Sequence, residues 1–449
     1  MNIGHGQQVF FLGIGGIGMS AIARYFATLG AAVSGYDRTP SSLTTQLEQE
    51  GISVFFEDRP DLLPNKMDLV VVTPAVPQDS ELYIHLKNSG ISMLKRSQVL
   101  GMLSEAYFTV AIAGTHGKTT ITALTAHIFQ EAGLAFNAFI GGISNNFNGN
   151  LVVNRDAKIL LVEADEFDRS FLTLKPDIAL ISSVEADHLD IYGDHAKLVE
   201  SFAAFAERLP DNGKLILQQD QAISTKRKSY YYGLSSKSDV FADDITLKNL
   251  KQVFKLHCGI QKVVEVSLSM PGLHNLNNAL AAATIAMQLN IDPQTIAQAL
   301  ATFKGVKRRF DIRVNNENFS YVDDYAHHPT EIKACLSALR SIFPENQITA
   351  VFQPHLYSRT RDLIEGFSTC FMDADQLLLL DIYPAREKPI PGIDSAHLLD
   401  RIAMDAKMLV EKTDLLTEIE RIKPQVLVTM GAGDIDRFVE PIEKMMQSW

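Results

Sequence analysis

Six consecutive residues, Gly114, Thr115, His116, Gly117, Lys118 and Thr119, spell G-T-H-G-K-T after an apolar run, and Thr120 follows them. Glycines at such a turn bring backbone N–H groups together around an anion. A lysine at its end reaches the β- and γ-phosphates of a nucleotide, and the adjacent hydroxyl can bind Mg2+. The stretch therefore predicts an ATP cradle lined by Gly114 to Thr120. The usual spacing is G-x-x-x-x-G-K-[ST]. Here Ile112 stands at the first glycine position, which makes this a shortened variant. A lysine-bearing turn without ATP is the plainer alternative.

Downstream, LLVEADEFD sets Glu163, Asp165, Glu166 and Asp168 at the end of an apolar run. A carboxylate at the C-terminal end of a parallel strand faces the crevice where ligands bind, and Mg2+ prefers oxygen ligands. Glu163, nearest the strand, is the expected metal ligand. Asp165, Glu166 and Asp168 read as a solvated acidic turn. His188, in ISSVEADHLD, follows a second buried run. It shares a predicted sheet edge with Glu163 and the phosphate loop, which points it toward metal or phosphate.

An earlier glycine pattern is of a different kind. Gly13, Gly15 and Gly18, with Gly16 and Ile17 inside the motif, form G-x-G-x-x-G at a strand-to-helix turn. Such glycines let a pyrophosphate approach a helix N-terminus. Asp37 ends the next strand, near the distance expected of a ribose-binding acid. The loop suits NAD or another diphosphate nucleotide such as a UDP-sugar, and glycine-assisted packing is the ligand-free alternative. Further on, PGLHNLNNALAAA sets His274, Asn275 and Asn278 at a helix start. A cap accounts for one asparagine; the set together suits recognition of a polar ring. In KRRF, Lys307 to Phe310, a basic run is usually a solvated face, but at a hinge an arginine can reach a γ-phosphate.

These loops need elements to hold them. QVFFLG and AAVSGYD read as strands around the helix MSAIARYFATLG, and DLVVVTPAV as a further strand ended by Pro74 and Pro77. FTVAIAG and TTITALTAHIFQEAG read as the next strand and helix, with KILLVEAD and IALISSV as buried strands. GKLILQQ and VFKLHCGIQKVVEVSL read as strands of an antiparallel or mixed region. HNLNNALAAATIAMQLN and DPQTIAQALATF are helices. Strand–helix alternation then restarts with FSYVDDY, ITAVFQ, QLLLLDIY and VLVTMGAG. Boundaries near 103 and 306 give three α/β domains, 1–102, 103–306 and 307–449.

A length of 449 residues suits several domains. A net charge of −12 argues against a nucleic-acid partner. Cys258, Cys335 and Cys370 show neither metal-ligand spacing nor a disulfide framework, so a reducing cytoplasm is the expected compartment. No signal peptide is read at the N-terminus, and no apolar run is long enough to span a membrane.

Taken in order, the motifs resemble the Mur ligases, ATP-dependent amino-acid ligases of peptidoglycan synthesis. The resemblance covers nearly the whole chain. It rests on GIGGIGMS, GTHGKTT, EADEFDRSFL, EADHLD, GLHNLNNALAA, RRFD, VDDYAHHPTEI, FQPHLYSRTRDL, IYPAREKPIPGI and GAGDI. DDYAHHPTE, the FQPH segment and GAGDI resemble the branch that adds L-alanine to UDP-N-acetylmuramate. The resemblance implies a Rossmann-like UDP-binding domain, a central P-loop ATPase-type domain and a C-terminal Rossmann-like α/β domain that closes over both. ATP would phosphorylate the lactyl carboxylate, and the amine of L-alanine would attack the acyl phosphate. The glycine pattern of Gly13 to Gly18 then serves the UDP-sugar, and no redox cofactor is needed.

By the same resemblance, Lys118 holds the β/γ-phosphates and Thr119 one Mg2+, with Glu163 and His188 as metal ligands or supports. Asn275 and Asn278 contact the adenine side, Arg309 reaches the phosphates and Asp324 meets the ribose region. His327, His328, His355 and Arg359 line the site where the muramoyl carboxylate and alanine meet, Arg359 as a fork for the alanine carboxylate. Helix capping before Pro329 is the other reading of the two adjacent histidines. The expected assembly is a monomer or weak homodimer.

Some residues depart from the family pattern. Leu356 stands where many members have Arg, removing a cation from the expected amino-acid site, and Arg386 stands where many have Gly. The stretch 198–209 has no Lys for carbamylation, which fits the alanine-adding branch. A ligase that joins the UDP-sugar to a preformed tripeptide should differ in the FQPH segment. Folylpolyglutamate synthase lacks the leading Rossmann unit. A NAD-dependent dehydrogenase leaves GTHGKT and EADHLD unexplained. A non-catalytic nucleotide sensor predicts tight ATP binding without turnover, and the intact Lys118, Thr119 and Glu163 count against it.

Overall fold

Apolar runs closed by glycine or polar turns become parallel strands here, because a strand buried on both faces has no polar side to show. The computed structural model describes residues 5–187, 189–221, 223–259, 262–385 and 387–449. His188 and Arg386 lie outside them. The chain divides into two units. One comprises Met1–Glu185, Ala196–Tyr232 and Ala281–Ile296; the other comprises Ala186–His195, Gly233–Leu280 and Ala297–Trp449.

The first unit contains two sheets. Strands β1 (Gln8–Leu12), β2 (Ala32–Tyr36), β3 (Ser53–Phe55), β4 (Leu69–Val72) and β5 (Met93–Lys95) lie in the order β3-β2-β1-β4-β5. All their pairings are parallel. The second sheet uses β6 (Phe108–Ala113), β7 (Phe136–Ser144), β8 (Gly149–Val152), β9 (Ile159–Glu163), β10 (Ile178–Ile181), β11 (Lys214–Gln218) and β12 (Ser229–Gly233). Their order is β12-β11-β10-β6-β9-β7-β8. Pairing is parallel except for the β7–β8 hairpin. With β6 between β10 and β9, the loops that follow these three strands emerge side by side.

Helix Ile17–Thr28 of the first sheet packs on the β7–β8 hairpin of the second. The Tyr25 ring meets Phe139 edge-on at 5.4 Å, and the Tyr25 and Tyr107 hydroxyls are 3.0 Å apart. Asn150, fully buried, donates to the Ile17 carbonyl at 2.6 Å and accepts from Arg24 Nη1 at 3.0 Å.

In the second unit, β13 (Val240–Lys248), β14 (Lys251–Cys258) and β15 (Lys262–Leu268) form an antiparallel meander. A further sheet holds β16 (Asp311–Asn315), β17 (Ser320–Asp324), β18 (Ile348–Phe352), β19 (Gln376–Leu379), β20 (Lys407–Leu409) and β21 (Val426–Met430). Its order is β16-β17-β21-β18-β19-β20, parallel but for β16. One apolar cluster, around Leu336, Phe352 and Phe367, and a second, around Tyr321, Leu378 and Ile442, are built on it.

The mixed region expected after residue 213 divides cleanly. VFKLHCGIQKVVEVSL is the antiparallel β14–β15 pair, whereas GKLILQQ is β11, parallel to both neighbours, because helix His195–Ala206 carries the chain back before it starts. Among the described residues no helix is long and apolar enough to cross a membrane.

Gly35 shows how tightly the first sheet is packed. A Cβ there would stand 2.6 Å from the Phe11 carbonyl oxygen and 2.7 Å from Ile14 Cδ1. Gly35→Ala is expected to cost about 1–3 kcal/mol through overpacking, seen as a lower urea midpoint; an unchanged midpoint would refute this account of the packing.

Candidate active site

The first glycine loop turns where β1 ends. Gly13 has φ +89°, a region open to glycine. The Gly13 and Ile14 N–H groups donate to the Tyr36 carbonyl at 2.8 and 2.9 Å. Helix Ile17–Thr28 then begins from Gly16 with no side-chain cap and no acidic residue in its first turn, so its N–H groups and positive dipole end face outward. Asp37, expected at a ribose, accepts the Gly15 N–H at 2.7 Å through Oδ2. Its Oδ1 lies 3.3 Å from Thr39 N.

The G-T-H-G-K-T loop joins β6 to helix Lys118–Glu131. Gly114 and Gly117 take φ +132° and +82°. A side chain at Gly114 would run into Ser182. The loop is clipped to the segment after β10: Thr115 N–H donates to the Ser183 carbonyl at 3.0 Å, and His116 N–H to Ser183 Oγ at 3.0 Å. The His116 ring lies 3.3 Å from Glu185. Thr119 and Thr120 are buried in the first helical turn.

Lys118 Nζ donates to the Gly114 carbonyl at 2.6 Å and to Glu166 at 2.8 Å. Glu166 is 1% exposed, which corrects the expectation of a solvated turn. The acidic stretch folds back so that this one carboxylate meets the lysine, while Asp165 and Asp168 stay at the surface on Arg96 and Lys95. Burial works against charge on Lys118, but Glu166, Asp165 and Glu163 outweigh it and hold its pKa above the ordinary lysine value. Thr119 Oγ1 donates to Glu163 Oε2 at 3.3 Å, and the Gly141 N–H fixes Glu163 Oε1 at 2.6 Å. The two expected metal-binding oxygens thus come together. His188 lies outside the described residues.

In the second unit, Asn275 is buried and donates to the Pro271 carbonyl at 2.9 Å. Asn278, one turn on, is half-buried. Arg309 does not point along an open path: its guanidinium lies over the Tyr325 ring, 4.7 Å from the centroid. Asp324 accepts the Phe310 N–H at 2.6 Å and the Ala326 N–H at 2.7 Å, so it holds the RRF turn. Burial pushes its carboxyl up to about 6, against Arg309 and those two N–H groups.

His328 caps helix Pro329–Ile342: its Nδ1 accepts the Thr330 N–H at 3.3 Å. The capping reading thus describes His328. His327 Nδ1 lies 3.0 Å from the Tyr325 carbonyl, and its ring meets His355 edge-on at 6.1 Å. The Arg359 fork is engaged by Asp187, with Nη2 3.0 Å from Oδ1 and both residues buried. Its Nη1 stands 3.2 Å from His355 Nδ1. Leu356, which begins the helix carrying Arg359, has φ +72° and donates its N–H to the Tyr383 carbonyl at 3.0 Å. The FQPH and GAGDI motifs meet where Gln353 donates to Asp434 at 2.8 Å.

Sequence reasoning passed over Asp187, Ser183, Tyr383 and Arg96. Asp187 stood one residue before a histidine already singled out. Ser183 and Tyr383 carry no spacing signal, since each acts through a partner distant in sequence.

Three titrations in the second unit oppose one another. Burial pushes His274 and His327 down to about 4, with Glu331 acting against it on both. Each histidine contributes stability fully present above pH 6.5 and lost as pH falls through about 4. Asp324, raised, contributes stability present below its ordinary value and lost as pH rises through about 6. Each effect is worth about 3 kcal/mol. Urea unfolding between pH 4 and 7 should therefore show a smaller acid loss for His327→Gln and a larger one for Asp324→Asn. Slopes equal to wild type would contradict this.

Three family profiles match the chain in order: the Mur ligase family catalytic domain over 8–108, the Mur ligase middle domain over 112–286 and the Mur ligase glutamate ligase domain over 308–433. A UDP-N-acetylmuramate–L-alanine ligase of Christiangramia forsetii is 44% identical over 451 residues, spanning 99% of both chains. One of Flavobacterium psychrophilum is 44% identical over 448 residues, again 99% of each. The solved structure of the UDP-N-acetylmuramate-alanine ligase MurC from Thermotoga maritima superposes with a TM-score of 0.84 at 25% identity, over 98% of this chain and 99% of that one. With three profiles in register and relatives alike from end to end, the chain belongs to the Mur ligase family.

Proposed function

We propose that this chain is an ATP-dependent ligase that joins L-alanine to the lactyl carboxylate of UDP-N-acetylmuramate, giving ADP and phosphate. One observation carries the reading: a chain 44% identical over its whole length to ligases named for this reaction sets Lys118 and Thr119 of a phosphate loop beside Glu163. The domains divide the work, with 1–102 for the UDP-sugar, 103–306 for ATP and 307–449 for amino-acid contacts. Cys258, Cys335 and Cys370 are all buried as thiols, which suits a reducing cytoplasm.

Ile17 and Gly18 offer backbone N–H groups and a helix dipole to the diphosphate, Gly13, Gly15 and Gly16 shape the turn that lets it approach, and Asp37 stands on the nucleoside side. Gly114 to Gly117 cradle ATP together with Thr120, and Lys118 holds the β/γ-phosphates. Thr119 and Glu163 fit Mg2+, since both offer oxygen from hydrogen-bonded positions; His188 is the third candidate ligand. Bound there, Mg2+ supplies charge neutralisation for the transferring phosphoryl group. Asn275 and Asn278 serve the adenine, Asp324 the ribose side and Arg309 the phosphates.

ATP converts the lactyl carboxylate to an acyl phosphate, which replaces a poor leaving oxygen with a good one. The alanine amine attacks it, and the tetrahedral intermediate collapses to amide and phosphate. His327, neutral through burial, sits with His328, His355 and Arg359 around the acceptor. Asp187 aims the Arg359 guanidinium, whose remaining donors suit an amino-acid carboxylate.

Phosphate release from ATP with Mg2+ and UDP-N-acetylmuramate, run with each amino acid and with the tripeptide, tests this. Release that needs both the UDP-sugar and L-alanine is expected. Release with the tripeptide alone would reassign the acceptor, and no release with any acceptor would sink the mechanism. Lys118→Ala should lower kcat by about 100- to 1,000-fold, with the fold intact by circular dichroism; a kcat near wild type would remove Lys118 from the chemistry.

A further inference from the structure

Arg96 belongs to neither glycine loop, yet it touches the surroundings of both. It opens helix Arg96–Ala106, whose start is fixed by the Lys95 N–H donating to Gln98 Oε1 at 2.8 Å. Its side chain lies across the first turn of helix Ile17–Thr28: a Cβ built on Gly18 would stand 3.1 Å from Arg96 Cδ and Nη1. Its Nη2 donates to Asp165 Oδ2 at 3.2 Å. Asp165 Oδ1 in turn accepts the Phe167 N–H at 3.1 Å, within the turn that delivers Glu166 to Lys118. The Arg96 side chain is 23% exposed.

This arrangement puts like charges together. The N-terminus of helix Ile17–Thr28 carries a positive partial charge with no acidic residue in its first turn. A guanidinium brought there by another helix adds to that charge. Gly18 makes the approach possible, because any larger residue would press on the arginine. Such a pairing is unfavourable until an anion arrives, and Asp165 meets only one edge of the guanidinium.

We propose that Arg96 is a further substrate-binding residue: its Nη1 edge takes a diphosphate oxygen of the UDP-sugar while its Nη2 edge stays on Asp165. One cation thereby ties the occupied UDP site to the acidic turn beside Lys118. The inference rests on the first loop being the UDP-sugar site.

Calorimetry on the full chain with UDP-N-acetylmuramate and UDP, and competition by uridine at millimolar concentration, tests it. Arg96→Ala should weaken UDP and the UDP-sugar by about 10- to 100-fold, the range of a charge-assisted hydrogen bond. Uridine and ATP should stay within about twofold, since neither meets this edge. Arg96→Lys, which keeps the charge and loses the fork, should fall between. Asp165→Asn should weaken UDP by a smaller factor that vanishes in the Arg96→Ala background. Equal UDP affinity in wild type and Arg96→Ala, or equal losses for UDP and uridine, would overturn the role of Arg96. Additive Asp165 and Arg96 effects would overturn the tie. A wild-type chain that binds no UDP would instead overturn the reading of the loop itself.

Discussion

Lys118 carries its charge at the end of a sheet covered on both faces, and Glu166 is the carboxylate that allows it to do so. Without such a partner, burial would favour the neutral amine. Removing one member of a buried ion pair typically costs about 3–5 kcal/mol, because the other charge is stranded. The requirement shapes the backbone. To bring Glu166 inward, the chain after β9 reverses sharply, and Asp168 and Arg169 both take left-handed φ, +53° and +55°. The reversal then delivers Phe171 into a stack with Phe205 at 5.0 Å and an edge contact with Phe202 at 5.2 Å. One electrostatic demand thus propagates into strain and then into core packing that holds the strain in place.

The second unit meets the same demand with different groups. Arg308 and Phe310 take φ +61° and +48°, and Asp323 and Asp324 explain why. Asp323 receives Arg308 Nε at 3.2 Å, while Asp324 receives the Phe310 N–H. The turn presents Arg309 and Arg308 to the Tyr325 ring. Arg359 with Asp187 is a third buried pairing of charges. In each case the carboxylate comes from elsewhere in the sequence: Glu166 meets Lys118, Asp323 meets Arg308 and Asp187 meets Arg359.

Much of this was legible in the residues. Alternating apolar runs and amphipathic stretches marked β1, β6, β9, β10, β17, β18 and β21, because parallel strands buried on both faces leave a strong signal. Short strands such as β3, β5 and β20 left too few residues for any pattern to show. The turn that holds Lys118 was readable because glycines beside a lysine, between a strand and a helix, have a direct physical meaning. Glu163 was readable from its place at a strand end. Glu166 was not: its burial depends on a two-residue left-handed reversal that no composition rule marks in Asp168-Arg169. Arg359 was readable as a fork, but its engagement by Asp187 was hidden, since the two lie far apart in the chain.

Asn150 has a further implication, for how such a chain could change over evolutionary time. Its amide is fully buried and completes the backbone of helix Ile17–Thr28 from a hairpin more than a hundred residues away, beside the Tyr25–Phe139 contact. The first hundred residues are therefore not a detachable module. A recombination event that exchanged them alone would set the Asn150 amide, paired here with the Ile17 carbonyl and Arg24, and the Phe139 ring against a foreign surface. The β7–β8 hairpin would have to travel with them, so the unit of inheritance in this half of the chain is defined by contact rather than by sequence segment.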